Sequence, residues 1–442
     1  MQSIENFLEF ALEKGVCYED DKIYLYNKLL DIKEQCEPQE DASDAEWELY
    51  ETRLWGAVML RPSEINAEFW SKYGLESAEV ATEYLYQLEK DVDYIKTKQI
   101  AKNVKWDYSS KYGNLEITIN LSKPEKDPRD IAKAIEIQKK QESAGIDPYP
   151  KCLLCKENEG FAGNLNHPAR QNIRLIPLQL NENDKNEWYF QYSPYSYYNE
   201  HCIILSGKHS PMHINKETFK RMLTFLKQFP HYFIGSNTDI PIVGGSILTH
   251  DHYQGGRHQM PMVTAETFFE YQKKSVKIEL LKWPLSTIRL TADSADDLVD
   301  LSDYILQKWI GYSDESVEIV AVTKGQRHNA ITPIARVIEN FDGNKQFQID
   351  LVLRNNRTSE EYPDGIFHPH KEWHHIKKEN IGLIEVMGLA ILPGRLKADL
   401  ESGKYTQEYI GEVFEHVLED AGVFKQNEEG IAAFKRFCES IF

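Results

Sequence analysis

The hydrophobic period of this chain changes near Gly113, and that change limits the folds open to it. Before that point, apolar residues recur at helical spacing. Ser3 can cap a helix carrying Ile4, Phe7, Leu8, Ala11 and Leu12 that ends at Gly15. A second helical segment begins at Asp21 and runs through Tyr24, Leu25, Leu29 and Ile32, and Ser77 opens a third through Val80, Ala81, Tyr84, Leu85 and Leu88. The acidic stretch from Glu37 to Glu48, which contains Pro38, reads as a solvated linker. After Gly113, Leu115–Leu121 alternates with period two, as a strand with one buried face does. Strand-like runs follow at Trp188–Tyr192, Cys202–Leu205, Ser286–Thr291, Val317–Val322 and Phe347–Leu353. Helical patterns lie between them at Thr218–Phe229 and Ala295–Trp309, and later at Tyr409–Leu418. Strands and helices mixed without strict βαβ alternation predict an α+β fold with antiparallel sheets behind a helical N-terminal region.

A chain of 442 residues has room for two or three domains. Its net charge of −19 argues against a polyanionic partner, so neither nucleic acid nor an anionic membrane is expected. A small anion is still compatible, because a few arginines and backbone N–H groups can hold one. No run approaches the roughly 18 uninterrupted apolar residues of a membrane span. The acidic N-terminus, Met1–Asn6, lacks the basic region of a signal peptide. Six cysteines are too few for a disulfide framework, and four of them (Cys17, Cys36, Cys202 and Cys438) are isolated. A soluble cytoplasmic enzyme is expected.

Two constellations carry chemistry. Cys152-Leu153-Leu154-Cys155 can bring two thiolates to one metal ion, with two buried apolar cysteines as the alternative. There is no second Cys-x-x-Cys, so a tetrahedral site would have to recruit histidines. The other is the glycine-flanked run from Gly244 to Gly256, with His250-Asp251-His252-Tyr253-Gln254 at its centre. In an extended segment His250 and His252 point to one face and can serve one site while Asp251 faces away. A neutral histidine with one ring nitrogen held is a competent nucleophile toward phosphorus, and Gln254 can donate to a phosphate oxygen. A pair of metal-binding or structural histidines is the alternative. The His-x-His at His368 and His370 echoes the first and could mark two related halves. Arg170, Arg174, Lys324, Arg327, Arg354 and Arg357 could face phosphates, though exposed arginines are more often plain surface charge.

Several runs carry a resemblance. They are Lys151–Gly163, Gln191–Tyr195, Tyr198–Leu205 and Phe229–Asn237, the last leading to Gly245-Ser246 and the His-Asp-His-Tyr-Gln-Gly-Gly core. Further similarity lies in Leu121–Pro128 and Phe367–His370. Together they resemble the second, bacterial class of galactose-1-phosphate uridylyltransferase (UDP-glucose–hexose-1-phosphate uridylyltransferase), within the histidine-triad-like nucleotidyl transferases. The resemblance implies two histidine-triad-like halves, at residues 111–270 and 271–442, behind a helical accessory region at 1–110. It implies uridylyl transfer from UDP-glucose to galactose-1-phosphate by a ping-pong route in galactose metabolism, with His252 as nucleophile and Gln254 on the phosphate. It also implies a structural zinc on Cys152, Cys155, His209 and His250, and substrate contacts from Asn237, Asn172 and Ser246. A second metal site would map to His328, His368 and His370, with Glu266 or Glu270 completing it. Asp251 stands where the better-known class has proline, and Gly388-Leu389-Ala390 where it has a hexose-binding glutamate. A homodimer is expected. The rival readings are a histidine-triad-type nucleotide hydrolase or phosphorylase, and a non-catalytic zinc-stabilised binding module.

Overall fold

The computed structural model describes residues 3–122, 148–164, 166–181, 187–245, 247–340 and 342–442. Helix α1 (Ile4–Glu13) starts where Ser3 Oγ accepts the Asn6 N–H, and Gly15 follows it with φ +67°. Next come α2 (Lys22–Cys36), α3 (Asp44–Val58), α4 (Pro62–Leu75) and α5 (Ala78–Asp91), the last capped by Ser77. The acidic linker is shorter than expected. Ser43 and Glu46 form a reciprocal capping box, with the Glu46 N–H on Ser43 Oγ at 3.3 Å and the Ser43 N–H on Glu46 Oε2 at 3.0 Å. Acidic residues 44–48 are therefore the start of α3, where carboxylates complement the helix dipole.

Strands β1 (Val104–Ser110) and β2 (Gly113–Asn120) form a hairpin, and β15 (Leu389–Pro393) adds to β2 in parallel. The main sheet contains β3 (Ile176–Leu178), β4 (Trp188–Tyr192), β5 (Cys202–Ser206), β6 (Phe233–Gly235), β7 (His252–Gly256), β8 (Thr267–Lys273), β9 (Val276–Leu281) and β10 (Thr287–Ala292). Beyond a short hairpin of β11 (Val322–Thr323) and β12 (Gln326–Arg327), it is completed by β13 (Asn329–Glu339) and β14 (Lys345–Asn355). The run Val317–Val322 is not the expected strand. Residues Glu315–Val317 make a 3-10 turn capped by the Asp314 side chain, and the run then joins the hairpin.

Ten strands are ordered β3-β4-β5-β7-β6-β13-β14-β10-β9-β8, every neighbouring pair antiparallel. The order is a mirror about the β6–β13 seam. Helix α6 (Lys216–Gln228) links β5 to β6 in one half, and α7 (Ala295–Ile310) precedes β13 in the other. At the seam Ile234 faces Ala335, flanked by Gly235↔Ile334 and Phe233↔Arg336. Gly235 also pairs with Gln254, and Arg336 with Gln348. Exchanging the halves therefore lays His252-Tyr253-Gln254-Gly255-Gly256 on Gln346-Phe347-Gln348-Ile349-Asp350. The two halves are related, but His368 and His370 do not mark the repeat, because they lie beyond the end of β14.

Both linking helices pack on one face of the sheet, placing Phe219, Met222, Leu298 and Ile305 in a core with Phe190, Ile204, Tyr253, Ile288 and Ile349. On the other face a second core joins Ile334, Val352, Trp283 and Leu383 to α8 (Gln407–Ala421) and to Ile117 of the small sheet. Directly paired residues share a face. His252 and Gln254 thus stand opposite the helices, in the half that this second core covers least.

Candidate active site

Two backbone segments are zipped together beside β5 and β7. The Met212 N–H reaches the Leu248 carbonyl at 2.9 Å, the Asp251 N–H reaches Ser210 at 2.7 Å, and the Ser206 N–H reaches Asp251 at 3.0 Å. This brings His209 against His250. The Cys152–Cys155 turn meets them, held by Asn158 Nδ2, which donates to both Cys152 and Cys155 carbonyls at 2.9 and 2.7 Å. The four side chains converge, their ligand atoms all within 4.8 Å of one another. The sulfurs are 3.6 Å apart, Cys152 Sγ is 3.3 Å from His250 Nδ1, and Cys155 Sγ is 3.2 Å from His209 Nδ1. A tetrahedral ion bound at about 2.3 Å to sulfur and about 2.0 Å to nitrogen has edges of about 3.8 Å (S–S) and about 3.6 Å (S–N). The donor set fits a metal ion.

Tautomers follow from the partners. His250 Nε2 lies 2.7 Å from the Ser206 carbonyl, which can only accept, so that nitrogen carries the proton and Nδ1 turns its lone pair to the sulfurs. The same logic applies to His252. Its Nδ1 donates to the His250 carbonyl at 2.8 Å, leaving Nε2 bare. Burial lowers the His252 pKa to about 4, so the ring stays neutral near pH 7. The two histidines therefore do not serve one site side by side as the extended-strand reading expects. Only His252 lies in β7. His250 sits in the turn before it, with its ring on the cysteines and its carbonyl fixing the second imidazole.

Gln254 stands two residues along on the same face, and His201 Nε2 lies 3.1 Å from its Oε1. Nothing in the local pattern around His201 pointed to this contact; it depends on the register of β5 against β7. Asn237 continues β6 toward the same end of the sheet. Its Oδ1 accepts the Leu383 N–H at 2.9 Å, and a Cβ on Gly245 would come within 2.6 Å of its Nδ2. Gly245 thus lets the glycine-rich loop close over Asn237. The Asn172 amide instead donates to the Val92 carbonyl at 3.0 Å, at the end of α5. Ser246 lies outside the described residues, as does most of the run Leu121–Pro128.

Among the described residues no second group of three or more such ligands closes to a comparable distance. His328 Nδ1 is engaged by Asn356 Oδ1 at 2.9 Å, and His368 Nε2 by Asn380 Oδ1 at 3.1 Å. His370 Nε2 donates to the Ile366 carbonyl at 3.1 Å, and its Nδ1 is 3.3 Å from Asp420. Glu266 and Glu270 pair with Lys282 and Lys277. The three histidines do not come together as the second metal site that the resemblance implies.

Two family models match the chain. One, described as galactose-1-phosphate uridyl transferase, N-terminal domain, covers residues 24–211, and the C-terminal domain of the same transferase covers 225–410. Curated relatives named galactose-1-phosphate uridylyltransferase align end to end. One from Streptococcus pneumoniae is 47% identical over 502 positions, covering 99% of this chain and 98% of the relative. One from Caldanaerobacter subterraneus is 46% identical over 517 positions, covering 99% and 97%. One from Ligilactobacillus salivarius is 45% identical over 502 positions, covering 99% and 98%. No solved structure matches the chain. With His252 and Gln254 of the His-Asp-His-Tyr-Gln run facing away from the helices and relatives of this kind along its whole length, the chain belongs to the galactose-1-phosphate uridylyltransferase family.

Proposed function

We propose that this enzyme moves a uridylyl group from UDP-glucose to galactose-1-phosphate in two displacements at His252. The observation that carries the reading is the hydrogen bond from His252 Nδ1 to the His250 carbonyl, which leaves Nε2 as a neutral, oriented lone pair. In the first step Nε2 attacks the α-phosphorus. The N–P bond forms, the P–O bond to the departing phosphate breaks, and glucose-1-phosphate leaves. In the second a phosphate oxygen of galactose-1-phosphate attacks the same phosphorus, the N–P bond breaks, and UDP-galactose is released. The Gln254 amide nitrogen, which has no partner among the described residues, donates to a phosphoryl oxygen as charge builds there.

The metal held by Cys152, Cys155, His209 and His250 is read as zinc. Four protein ligands close its shell, so its contribution is to brace the turn before β7. Asn237 is assigned to the nucleotide side of the site, next to Gly245. Six unpaired cysteines agree with a reducing cytoplasm, and no helix among the described residues is long and apolar enough to cross a membrane.

Intact-mass spectrometry after incubation with UDP-glucose tests the reading. The native enzyme should gain one uridylyl group. His252→Gly should gain none while keeping its zinc, whereas Cys155→Ser should lose the zinc. An adduct on His252→Gly protein, or one mapped to His250 in the native enzyme, overturns the assignment.

A further inference from the structure

Gln254 can hold a phosphate only if its amide nitrogen, and not its oxygen, faces the ligand, and nothing in the glutamine itself decides which way round it sits. The decision falls to the group behind it. His201 is 2% exposed, and its Nε2 is 3.1 Å from Gln254 Oε1. Its other ring nitrogen, Nδ1, is buried with no partner among the described residues. Placing the single proton of a neutral ring on Nδ1 would bury an N–H with no acceptor, the costlier kind of orphan. A proton on Nε2 meets an oxygen. Burial lowers the His201 pKa to about 4, so the ring keeps one proton throughout the neutral range.

Two tyrosines hold the ring in place. Tyr197 stacks on it at 5.4 Å between centroids and Tyr198 lies against it at 4.5 Å. Tyr198 is locked in turn by its hydroxyl, which donates to the Gly255 carbonyl at 3.2 Å. A Cβ on Gly256 would stand 2.7 Å from the Tyr198 ring and 2.8 Å from the Glu200 carbonyl. Gly256 is thus the space into which the Tyr198 clamp fits.

We propose that His201 is a positioning residue for uridylyl transfer: its Nε2–H fixes the Gln254 oxygen, so that the Gln254 amide hydrogens face the phosphate. This rests on the assignment of Gln254 to the phosphate, and the test separates the two. The rate of uridylyl adduct formation from UDP-glucose is measured in single-turnover mixing on zinc-loaded protein. Relative to the native enzyme, His201→Phe should slow the step by about ten- to a hundredfold, less than the roughly hundred- to thousandfold of a transition-state donor removed outright, with zinc content unchanged. His201→Asn, which keeps a donor, should recover most of that loss. In a Gln254→Ala background, His201→Phe should change the rate by less than about twofold, because the group it acts through is gone. His201→Leu replaces His201→Phe in this cycle if the phenyl variant does not fold. A His201 variant as fast as the native enzyme, or one whose full effect persists without Gln254, overturns the proposal. A Gln254→Ala enzyme at native rate overturns the phosphate assignment itself, and this proposal with it.

Discussion

Asp350 is completely buried, with Arg289 Nε 2.7 Å from one of its oxygens and Arg336 on the other. Burial alone would raise its pKa, but the two guanidinium groups outweigh burial and hold it below the usual carboxylate range. Asp350→Asn leaves two buried cations facing a neutral amide. It should cost about 3–5 kcal/mol, the range for breaking a buried ion pair from one side, read as the loss in urea-denaturation free energy. No spacing in the sequence announces this cluster, because its members come from three strands. The four candidate metal ligands lie at the other extreme. Cys152 and Cys155 are visible as a pair, and the shortage of cysteine elsewhere sends the search to histidine. His209 could be chosen only through the resemblance, and His201 not at all, since its role depends on which residue of β7 it stands beside.

Elements with a clear period were legible to within a residue or two: β4, β5, β10 and the helices α6 and α7. Elements shaped by their ends were harder to see. Helix α3 hides behind an acidic stretch, and what starts it is the Ser43–Glu46 reciprocity. Ser43→Ala should destabilise the protein by about 1 kcal/mol, seen as a small drop in denaturation midpoint with adduct formation unchanged. Strand β1 went unnoticed because Lys105, Asp107 and Ser109 stay exposed on one side, while Val104 and Trp106 are only half-buried on the other. The apolar residues of Val317–Val322 misled in the opposite sense: Ile319 is buried at a single bridge to Asp314 and Ala321 in the bend after it, and neither belongs to an extended ladder.

At the scale of the whole molecule, acid should weaken the fold through histidines buried neutral. Burial lowers the pKa of both His201 and His231 to about 4. Below about pH 6.5 the unfolded chain takes up protons on these rings and the native chain does not, so stability is full above that pH and falls as the pH drops toward 4. Each ring contributes a slope of at most about 1.4 kcal/mol per pH unit. His231 Nε2 lies 3.1 Å from Thr82 Oγ1, where helix α5 meets the residues leading into β6. His231→Gln should flatten the pH dependence of the denaturation midpoint between pH 6.5 and 4.5, and an unchanged slope would count against a neutral buried His231.

The mirrored sheet has one more consequence. The strand that holds His252 carries Gly255 and Gly256 where its twin carries Ile349 and Asp350, and the seam strand carries Gly235 where its twin carries Arg336. In the twin, the side chains at these positions fill their own surroundings. In the half that holds His252, other parts of the chain supply the cover: Tyr198 lies over Gly256, and Leu383, 148 positions beyond Gly235, lies over that glycine with its N–H on Asn237. A fragment cut off between the halves would retain the histidine and the cysteine cluster, yet would have lost the roof over Gly235. The pocket therefore draws its walls from both halves of the sheet, although the atoms proposed to react all lie in one of them.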